Sequence, residues 1–297
     1  MAESLYLGLD VGASNIRVGL GDEEDLYSDK LREVPTEDYW SEEGLRTLII
    51  ETLELFEISL ESLDGVGIGV PGLVNTDENK LELCFALDEL SFTEVSKLDI
   101  DISIENDANV AVMGEKFYGD GGNNDNIVTV IMGSGIGGGV YYGGELLGSQ
   151  IKGRSPEPGG LSVEGETIWD EAVGGENLPE YMETLMDDEE QKYKVSDMSA
   201  EEVFKLSEDD EVIADQLEKL TELNAKGITN LVNLYAPELI TFSGSVAVNN
   251  PEFIRKSFEK VDELAINPRP DMKISKLGNR LGLYGALALA QKTDKNN

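Results

Sequence analysis

The sequence has 297 residues, 40% of them apolar, which is enough for one large or two ordinary domains with a buried core. Sixty acidic residues against 23 basic ones give a net charge of −37, which argues against nucleic acid and anionic membranes as partners. The acidic residues are spread along the chain, and molar salt shortens the Debye length to about 3 Å. We therefore expect a protein adapted to high salt.

The cysteine count and the hydropathy pattern bear on where the protein works. Cys84 is the single cysteine, so an internal disulfide is excluded. No segment reaches the roughly 20 apolar residues that a membrane span needs. A reducing cytoplasm agrees with the single cysteine, as does any other disulfide-free setting, and we expect a cytoplasmic location.

Short apolar runs and glycine turns organise the first hundred residues. Alternating or short apolar runs predict strands, and apolar residues three and four apart predict a helix. On this basis we expect strands at Leu5–Asp10, Ile16–Leu20, Leu26–Glu33, Val66–Val70 and Ile100–Glu105, with a helix at Ser41–Phe56. Asn106 or Asp107 then caps a helix that runs to about Phe117.

The alternation starts again after the loop Gly119–Asn126. We expect strands at Ile127–Met132, Val140–Tyr142 and Leu239–Phe242, a glycine loop over Gly133–Gly139, three helical stretches between Trp169 and Tyr235, and helices at Pro251–Leu264 and Leu281–Gln291. The repeated pattern predicts an α/β fold made of two α/β domains with a cleft between them.

Three segments rich in small residues are candidates for nucleotide contacts. The turn Asp10–Asn15 offers N–H groups and a hydroxyl to a phosphate, and Asp10 could hold Mg²⁺ through water, although an ordinary hairpin explains it equally well. The cluster Gly133–Gly139 allows a close backbone approach but has neither dinucleotide-fingerprint nor P-loop spacing, and a flexible loop is the alternative. Ser243–Val246 could let an adenine and ribose lie against the backbone.

Asp107 is the candidate catalytic base. An acid at a strand-to-helix junction is most often only a helix cap. The catalytic interpretation requires its carboxylate to face the cleft, within hydrogen-bonding reach of a substrate hydroxyl.

Taken together, these segments resemble the ROK family in order and spacing. The resemblance rests on the hairpin Asp10–Asn15, the turn Gly69–Gly72, the motif Asn106–Asn109 and the segments Gly133–Gly139, Asn230–Val246 and Gly282–Leu289, and it covers Leu5 to about Ala290. The family belongs to the actin/hexokinase/Hsp70 superfamily and consists mostly of sugar kinases. The resemblance implies two actin-like (ribonuclease H-like) domains, residues 1–105 with 281–297 and residues 106–280.

The resemblance also implies a role for each matching residue of an ATP- and Mg²⁺-dependent, glucokinase-like hexose kinase. Phosphate and Mg²⁺ contacts are implied for Asp10, Gly12, Ser14 and Asn15, with Mg²⁺ held by Asp10 through water. Further nucleotide contacts are implied for Gly133, Ser134, Gly135, Gly137, Ser243, Gly244 and Val246. Asp107 is implied as the general base, and sugar contacts are implied for Gly72, Asn106, Asp107, Glu157, Gly160 and Asp170, with Glu171 as a second choice for Asp170.

The sequence departs from the family at the sugar site. The chain has no histidine, and Gly160 stands where the family commonly has the His that touches the sugar and helps bind zinc. Glu164–Ile168 replaces the cysteine cluster, so we expect no structural zinc. A usual sugar-contacting Asn corresponds to Ala86. The sugar is therefore left open among glucose, fructose, mannose and N-acetylated amino sugars.

A function from a different class is a non-catalytic sugar-binding regulator. The phosphate hairpin begins by residue 10, which leaves no room for the helix-turn-helix of the family's repressors, so we expect no nucleic acid partner. The family resemblance suggests a homodimer.

Overall fold

Strands and helices alternate through the part of the chain that the computed structural model describes, residues 4–75, 78, 80–84, 87–148, 155–187 and 194–294. Its first half contains the strands β1 (Tyr6–Val11), β2 (Asn15–Gly21), β3 (Leu26–Pro35), β4 (Gly65–Val70), β5 (Leu73–Asn75), β6 (Lys80–Leu83), β7 (Leu90–Ser91) and β8 (Ile102–Asn106). The helices of this half are α1 (Thr36–Tyr39), α2 (Glu42–Phe56) and α3 (Asp107–Phe117).

The second half repeats this organisation. Its strands are β9 (Ile127–Met132), β10 (Ile136–Tyr142), β11 (Glu145–Leu146), β12 (Ser162–Glu164), β13 (Thr167–Ile168), β14 (Leu239–Ser243) and β15 (Asp271–Ile274). Its helices are α4 (Trp169–Val173), α5 (Leu178–Thr184), α6 (Ala200–Leu206), α7 (Glu211–Tyr235), α8 (Ser245–Asn249), α9 (Pro251–Leu264) and α10 (Leu281–Asp294).

The two main sheets have the same topology. Within the described residues, the first has the order β3-β2-β1-β4-β8 and the second the order β11-β10-β9-β14-β15. In each sheet the first three strands are antiparallel neighbours and the last two pair in parallel. Each sheet has its own apolar core, because its strands bury their Val, Ile and Leu side chains against helices of the same half.

Helices α3 and α10 connect the two halves. Helix α3 follows the last strand of the first sheet but packs on β9 and β10, whereas α10 follows the last strand of the second sheet and packs on β1 and β4. Glycines allow this close approach: a Cβ on Gly67 would lie 1.9 Å from the carbonyl oxygen of Ala286, and a Cβ on Gly285 would lie 1.9 Å from that of Val110. The start of α3 and the end of β1 are therefore held in fixed relation to both sheets.

The structure confirms the predicted α/β class with two related halves and corrects two local predictions. Strand β10 begins at Ile136, so only Gly133–Gly135 form a loop and the prediction of a loop through Gly139 is wrong. A Cβ on Gly139 would lie 2.3 Å from the carbonyl oxygen of Ala108. The absence of a side chain at Gly139 therefore allows α3 to pack closely against β10. Four helices rather than three lie between Trp169 and Tyr235 in the described residues, because Gly174 and Gly175 separate α4 from α5.

One further finding concerns the described residues as a whole. None of their helices is long and apolar enough to cross a membrane. The boundaries predicted for the two domains stay a prediction.

Candidate active site

Asp107 lies at the start of α3, where β8 ends, and its neighbour Asn106 holds it in place. The Asn106 Oδ1 atom caps the helix by accepting hydrogen bonds from the backbone N–H groups of Ala108 (3.0 Å) and Asn109 (3.1 Å). The Asn106 Nδ2 atom donates to the Gly72 carbonyl oxygen (2.9 Å) and to Asp107 Oδ1 (3.1 Å). Asn106 is therefore the cap, and all of its side-chain hydrogen-bonding groups are engaged.

The two carboxylate oxygens of Asp107 have different surroundings. Oδ1 accepts from Asn106 Nδ2 and from the backbone N–H of Ala108 at 2.9 Å. Oδ2 accepts no hydrogen bond from another residue within the part of the chain that the structure describes. Oδ2 is therefore the oxygen available to take a proton.

The surroundings of Asp107 raise its pKa to about 7, chiefly because burial disfavours the charged form. The hydrogen bond from the Ala108 N–H favours the carboxylate, while the negative charges of Asp10 and Glu157 raise the pKa further. Three sequence-predicted residues from distant parts of the chain thus lie close enough to influence one another. A carboxyl group with a pKa near 7 suits a general base that works near neutral pH.

The hairpin between β1 and β2 brings Asp10 close enough to Asp107 for its charge to act on that carboxyl. The Gly12 N–H donates to the Asn15 carbonyl oxygen (2.9 Å), and Thr36 fastens the turn with a hydroxyl bond to the Gly12 carbonyl oxygen (2.7 Å). The Ser14 and Asn15 side chains are exposed beside it. The turn therefore leaves a hydroxyl and backbone groups accessible next to a carboxylate.

Arg17 is a contact of Asp10 that the sequence analysis missed. Asp10 and Arg17 are directly opposite in the β1–β2 pairing, and Arg17 Nη1 lies 3.6 Å from Asp10 Oδ2. Burial raises the pKa of Asp10, whose side chain is 18% exposed, and the Arg17 charge opposes that rise. The pair could have been predicted from the sequence, because a three-residue turn places Asp10 opposite Arg17 in the hairpin.

The loop Gly133–Gly135 joins β9 to β10 and is fastened by a segment some forty residues later. The N–H of Gly175 donates to the Gly133 carbonyl oxygen (3.0 Å), and the N–H of Glu176 donates to that of Ser134 (2.8 Å). The N–H of Ile136 donates to Asp170 Oδ1. The sequence analysis missed the residues 174–177, because nothing in a Gly-Gly turn between two helices identifies its partner.

An open cavity of about 950 Å³ adjoins this loop and is lined by residues of α6, α7, α8 and α9. Gly133, Ser134 and Val246 line it, whereas the predicted nucleotide contacts Gly135, Gly137, Ser243 and Gly244 lie outside its lining. Gly244 has a φ of +86°, and a Cβ there would lie 2.4 Å from the Met132 carbonyl oxygen, so it brings β14 close to β9.

The cavity walls carry groups that no sequence pattern indicated. The rings of Phe204 and Phe253 meet edge to face at 5.2 Å, and both line the cavity. Lys205 and Lys256 line it from α6 and α9 and make no ion pair among the described residues. Five glutamates also line the cavity, namely Glu176, Glu201, Glu208, Glu218 and Glu252. The cavity therefore fits a nucleotide by its volume and its apolar surface rather than by its net charge.

The predicted sugar contacts divide into two groups. Gly72, at a φ of +95°, and Asn106 bind each other beside Asp107, and Glu157 has a pKa raised by burial and acts electrostatically on Asp107. A Cβ on Gly160 would meet nothing within 4 Å, so this position is open. Asp170 instead binds Ile136 and Asn177, and Glu171 binds the backbone of Ile168. Ala86 lies outside the described residues.

The metal chemistry of the site is that of oxygen ligands. In the described ranges, no group of three or more His, Cys, Asp and Glu side chains is arranged to hold a metal ion. The Asp10 carboxylate is 18% exposed and packs against Gly282, where a Cβ would lie 2.5 Å from Asp10 Oδ1. A carboxylate that is only partly accessible fits a Mg²⁺ that keeps most of its waters.

The family profile that matches this chain is "ROK family", over residues 6–293. The chain belongs to the ROK family. It is similar to a glucokinase of Halalkalibacterium halodurans, at 24% identity over 100% of this chain and 98% of that protein. It is also similar to an N-acetyl-D-glucosamine kinase of Haemophilus influenzae, at 27% identity over 96% of this chain and 99% of that protein.

The fold is also that of solved structures. A ROK family glucokinase from Streptomyces griseus, in complex with glucose and AMPPNP, matches with a TM-score of 0.74 at 23% identity, covering 97% of this chain and 100% of that chain. A ROK hexokinase from Thermus thermophilus matches with a TM-score of 0.80 at 22% identity, covering 99% and 100%. The predicted two-domain, actin-like α/β fold is thereby confirmed.

Proposed function

We propose that this protein is an ATP-dependent sugar kinase that transfers the γ-phosphoryl group of ATP to a hexose hydroxyl, with Asp107 as the general base. One observation carries the proposal: Asp107 has one oxygen held by two donors and a second oxygen that accepts from no other described residue. It also has a pKa of about 7, with both Asp10 and Glu157 near it. Membership of a family whose relatives include glucokinase and N-acetyl-D-glucosamine kinase supports it.

The chemistry that we propose for Asp107 is a proton transfer during an in-line displacement. Asn106 and the Ala108 N–H hold Oδ1 and so direct Oδ2 toward the substrate. Oδ2 takes the proton of the sugar hydroxyl as the hydroxyl oxygen forms its bond to the γ-phosphorus, while the bond from that phosphorus to the bridging oxygen of ADP breaks. Asn106 thus acts on the sugar chiefly through Asp107.

We propose that the nucleotide lies in the 950 Å³ cavity, with its phosphates directed past Gly133 and Ser134 toward the hairpin Asp10–Asn15. Gly12, Ser14 and Asn15 would offer donors there. A Mg²⁺ ion near Asp10 would reduce the negative charge of the phosphates. This matters in a chain with a net charge of −37, whose field repels ATP.

The identity of the sugar depends on the open position at Gly160 and on the position of Ala86. A glucokinase-like transfer to the 6-hydroxyl is our first choice, and fructose, mannose and N-acetylated amino sugars are the alternatives. A non-catalytic sugar-binding regulator is the alternative from another class. The raised pKa of Asp107 favours the enzyme, because a regulator has no use for a base tuned to neutral pH. A cytoplasmic location, a homodimer and the absence of zinc stay predictions.

The test is ADP release in about 2–3 M KCl, a concentration that screens the surface charge, with ATP, Mg²⁺ and a panel of hexoses and N-acetylhexosamines. We expect sugar-dependent turnover, and we expect Asp107→Ala to fold and to lose at least about a hundredfold in rate, the low end for general base catalysis. Asp99→Asn, at an exposed position outside the site, is the control. A folded wild-type protein that binds ATP but turns over no sugar would contradict the proposal.

A further inference from the structure

Asp170 lies at a junction of three segments of the second half. Its Oδ1 atom accepts a hydrogen bond from the N–H of Ile136, the first residue after the glycine loop. Its Oδ2 atom accepts from Asn177 Nδ2 at 3.0 Å. Both carboxylate oxygens are therefore engaged by the protein itself, which distinguishes Asp170 from Asp107.

Glycine backbones surround the Asp170 carboxylate so closely that it has little freedom to move. A Cβ on Gly135 would lie 2.7 Å from Asp170 Oδ1, and a Cβ on Gly174 would lie 3.0 Å from the same atom. A Cβ on Gly159 would lie 3.2 Å from the Asp170 Cβ. One side chain thus packs against the glycine loop, against the turn that follows Glu157, and against the turn that ends α4.

The same junction is reinforced by the backbone. Residues Gly175 and Glu176 donate hydrogen bonds to the carbonyl oxygens of Gly133 and Ser134. Asn177, which donates to Asp170 Oδ2, also donates to the Asp170 carbonyl oxygen at 3.3 Å. Gly133, Ser134, Gly175 and Glu176 line the nucleotide-sized cavity, whereas Asp170 does not. Asp170 therefore contacts the segments that line the cavity without itself being part of the lining.

We propose that Asp170 is a positioning residue that fixes the glycine loop for the nucleotide and couples it to the turn Pro158–Gly160, so that sugar binding tightens nucleotide binding. The inference rests on the proposed function. It differs from the expectation that Asp170 touches the sugar, and it rests on the hydrogen bond that each carboxylate oxygen accepts from a protein group. The route from the sugar to the loop passes from Glu157 through Gly159 to the Asp170 side chain.

The direction in which Asp170→Asn changes ATP affinity distinguishes a positioning role from a purely electrostatic one. Removing a negative charge near a phosphate site would strengthen ATP binding if relief of Coulomb repulsion were the only effect. An Asn side chain offers one acceptor oxygen where Asp offers two, so either the Ile136 N–H or Asn177 loses its partner and the loop loosens. A positioning role therefore predicts weaker nucleotide binding, the opposite of the electrostatic effect.

The experiment is calorimetric binding of AMPPNP with Mg²⁺, measured with and without glucose or the sugar that turns over best, for the wild type and Asp170→Asn. In Asp170→Asn we expect the Kd for AMPPNP to rise about tenfold, equivalent to roughly 1.4 kcal/mol, while the Kd for the sugar alone changes less than about threefold. We also expect the sugar to tighten nucleotide binding in the wild type and to lose that effect in the variant. The KM for ATP should rise as the Kd for AMPPNP does, whereas the KM for the sugar should change as little as the Kd for the sugar.

Glu166→Gln is the control, since it removes the same charge at an exposed position four residues from Asp170 and outside the cavity lining. Unchanged or tighter AMPPNP binding in Asp170→Asn overturns the inference, and so does a tenfold loss confined to the sugar. If Asp170→Asn does not fold, Asn177→Ala decides, because it removes the donor to Oδ2 and should weaken AMPPNP binding alone. A wild type that binds no nucleotide would overturn the proposed function instead.

Discussion

The hairpins β1–β2 and β9–β10 occupy equivalent places in two sheets of the same topology, yet they carry different chemistry. The first presents a carboxylate, Asp10, a cation, Arg17, and a hydroxyl, Ser14. The second, Gly133–Gly135, has no ionisable side chain and presents backbone and one serine. The first is fastened by Thr36, one strand away, and the second by residues 170–177 of a distant segment.

This difference indicates a division of labour between the two halves of the protein. A charged hairpin can hold a hydrated cation, while a glycine loop can approach phosphate oxygens closely without adding charge. Under the proposed function, the first hairpin can depend on local contacts because its side chains would hold the cation. The second needs external support, because a backbone donor is useful only if the loop is held in one conformation.

The largest expected effect comes from removing the charge of the first hairpin. We expect Asp10→Asn to lower the rate about a hundredfold or more, since a metal ion's charge stabilisation is worth several kcal/mol, and to raise the Mg²⁺ concentration needed for half-maximal rate. Steady-state rates over a Mg²⁺ titration measure both. Asp29→Asn, an exposed acid on β3, is the control.

An Asp10→Asn variant with an unchanged Mg²⁺ requirement would contradict the hypothesis that the first hairpin holds the cation. Asp10 would then serve only to pair with Arg17. Double substitution with Arg17→Gln would test that reading, because two residues that act only on each other show no further loss when both are removed.

The second hairpin should respond to bulk rather than to charge. A Cβ on Gly133 would meet no atom within 4 Å, so Gly133→Ala should fold with little change in melting temperature. If phosphate oxygens approach this backbone, the added methyl group obstructs them, and we expect the Kd for AMPPNP to rise about tenfold. Gly122→Ala, equally unobstructed and outside the cavity lining, is the control. Equal affinities would place the phosphates elsewhere.

Sequence predicted the parts of the site that are local in the chain. The cap at Asn106, the hairpin at Asp10 and the alternation of strands and helices follow from periodicity, capping and turn chemistry, and the structure bears them out. The family resemblance supplied the roles that those rules could not, and it supplied Asp107 as the base.

The parts that sequence did not predict depend on distant contacts. The start of β10 at Ile136 was missed because glycine is a poor strand former, and only the packing of α3 explains why Gly139 is needed there. The bond from Ile136 to Asp170 joins residues 34 positions apart, and no local pattern records it. The cavity formed by α6 and α9 has the same origin, since its walls meet only after folding.

The smallest expected effect concerns Asp107, on which a charge from each half acts. Because its pKa is raised to about 7, the carboxyl is largely protonated in acid and cannot accept a proton, so kcat/KM should fall about tenfold per pH unit well below 7. Glu157→Gln removes one of the two negative charges that raise this pKa, so the acid limb should move to lower pH. A shift of about half a unit would raise the rate at pH 6, relative to its own plateau, about threefold.

The rates of Glu157→Gln at each pH are divided by the plateau rate of the same variant. This normalisation is needed because Glu157 is expected to contact the sugar, so its substitution also changes the absolute rate. Glu166→Gln, at an exposed position after β12, should leave the limb where it is in the wild type. If the acid limb stays in place in Glu157→Gln, the charge of Glu157 does not act on Asp107 once substrates are bound. A limb that moves to higher pH would contradict the sign of the interaction, since removing a like charge must favour the ionised carboxylate.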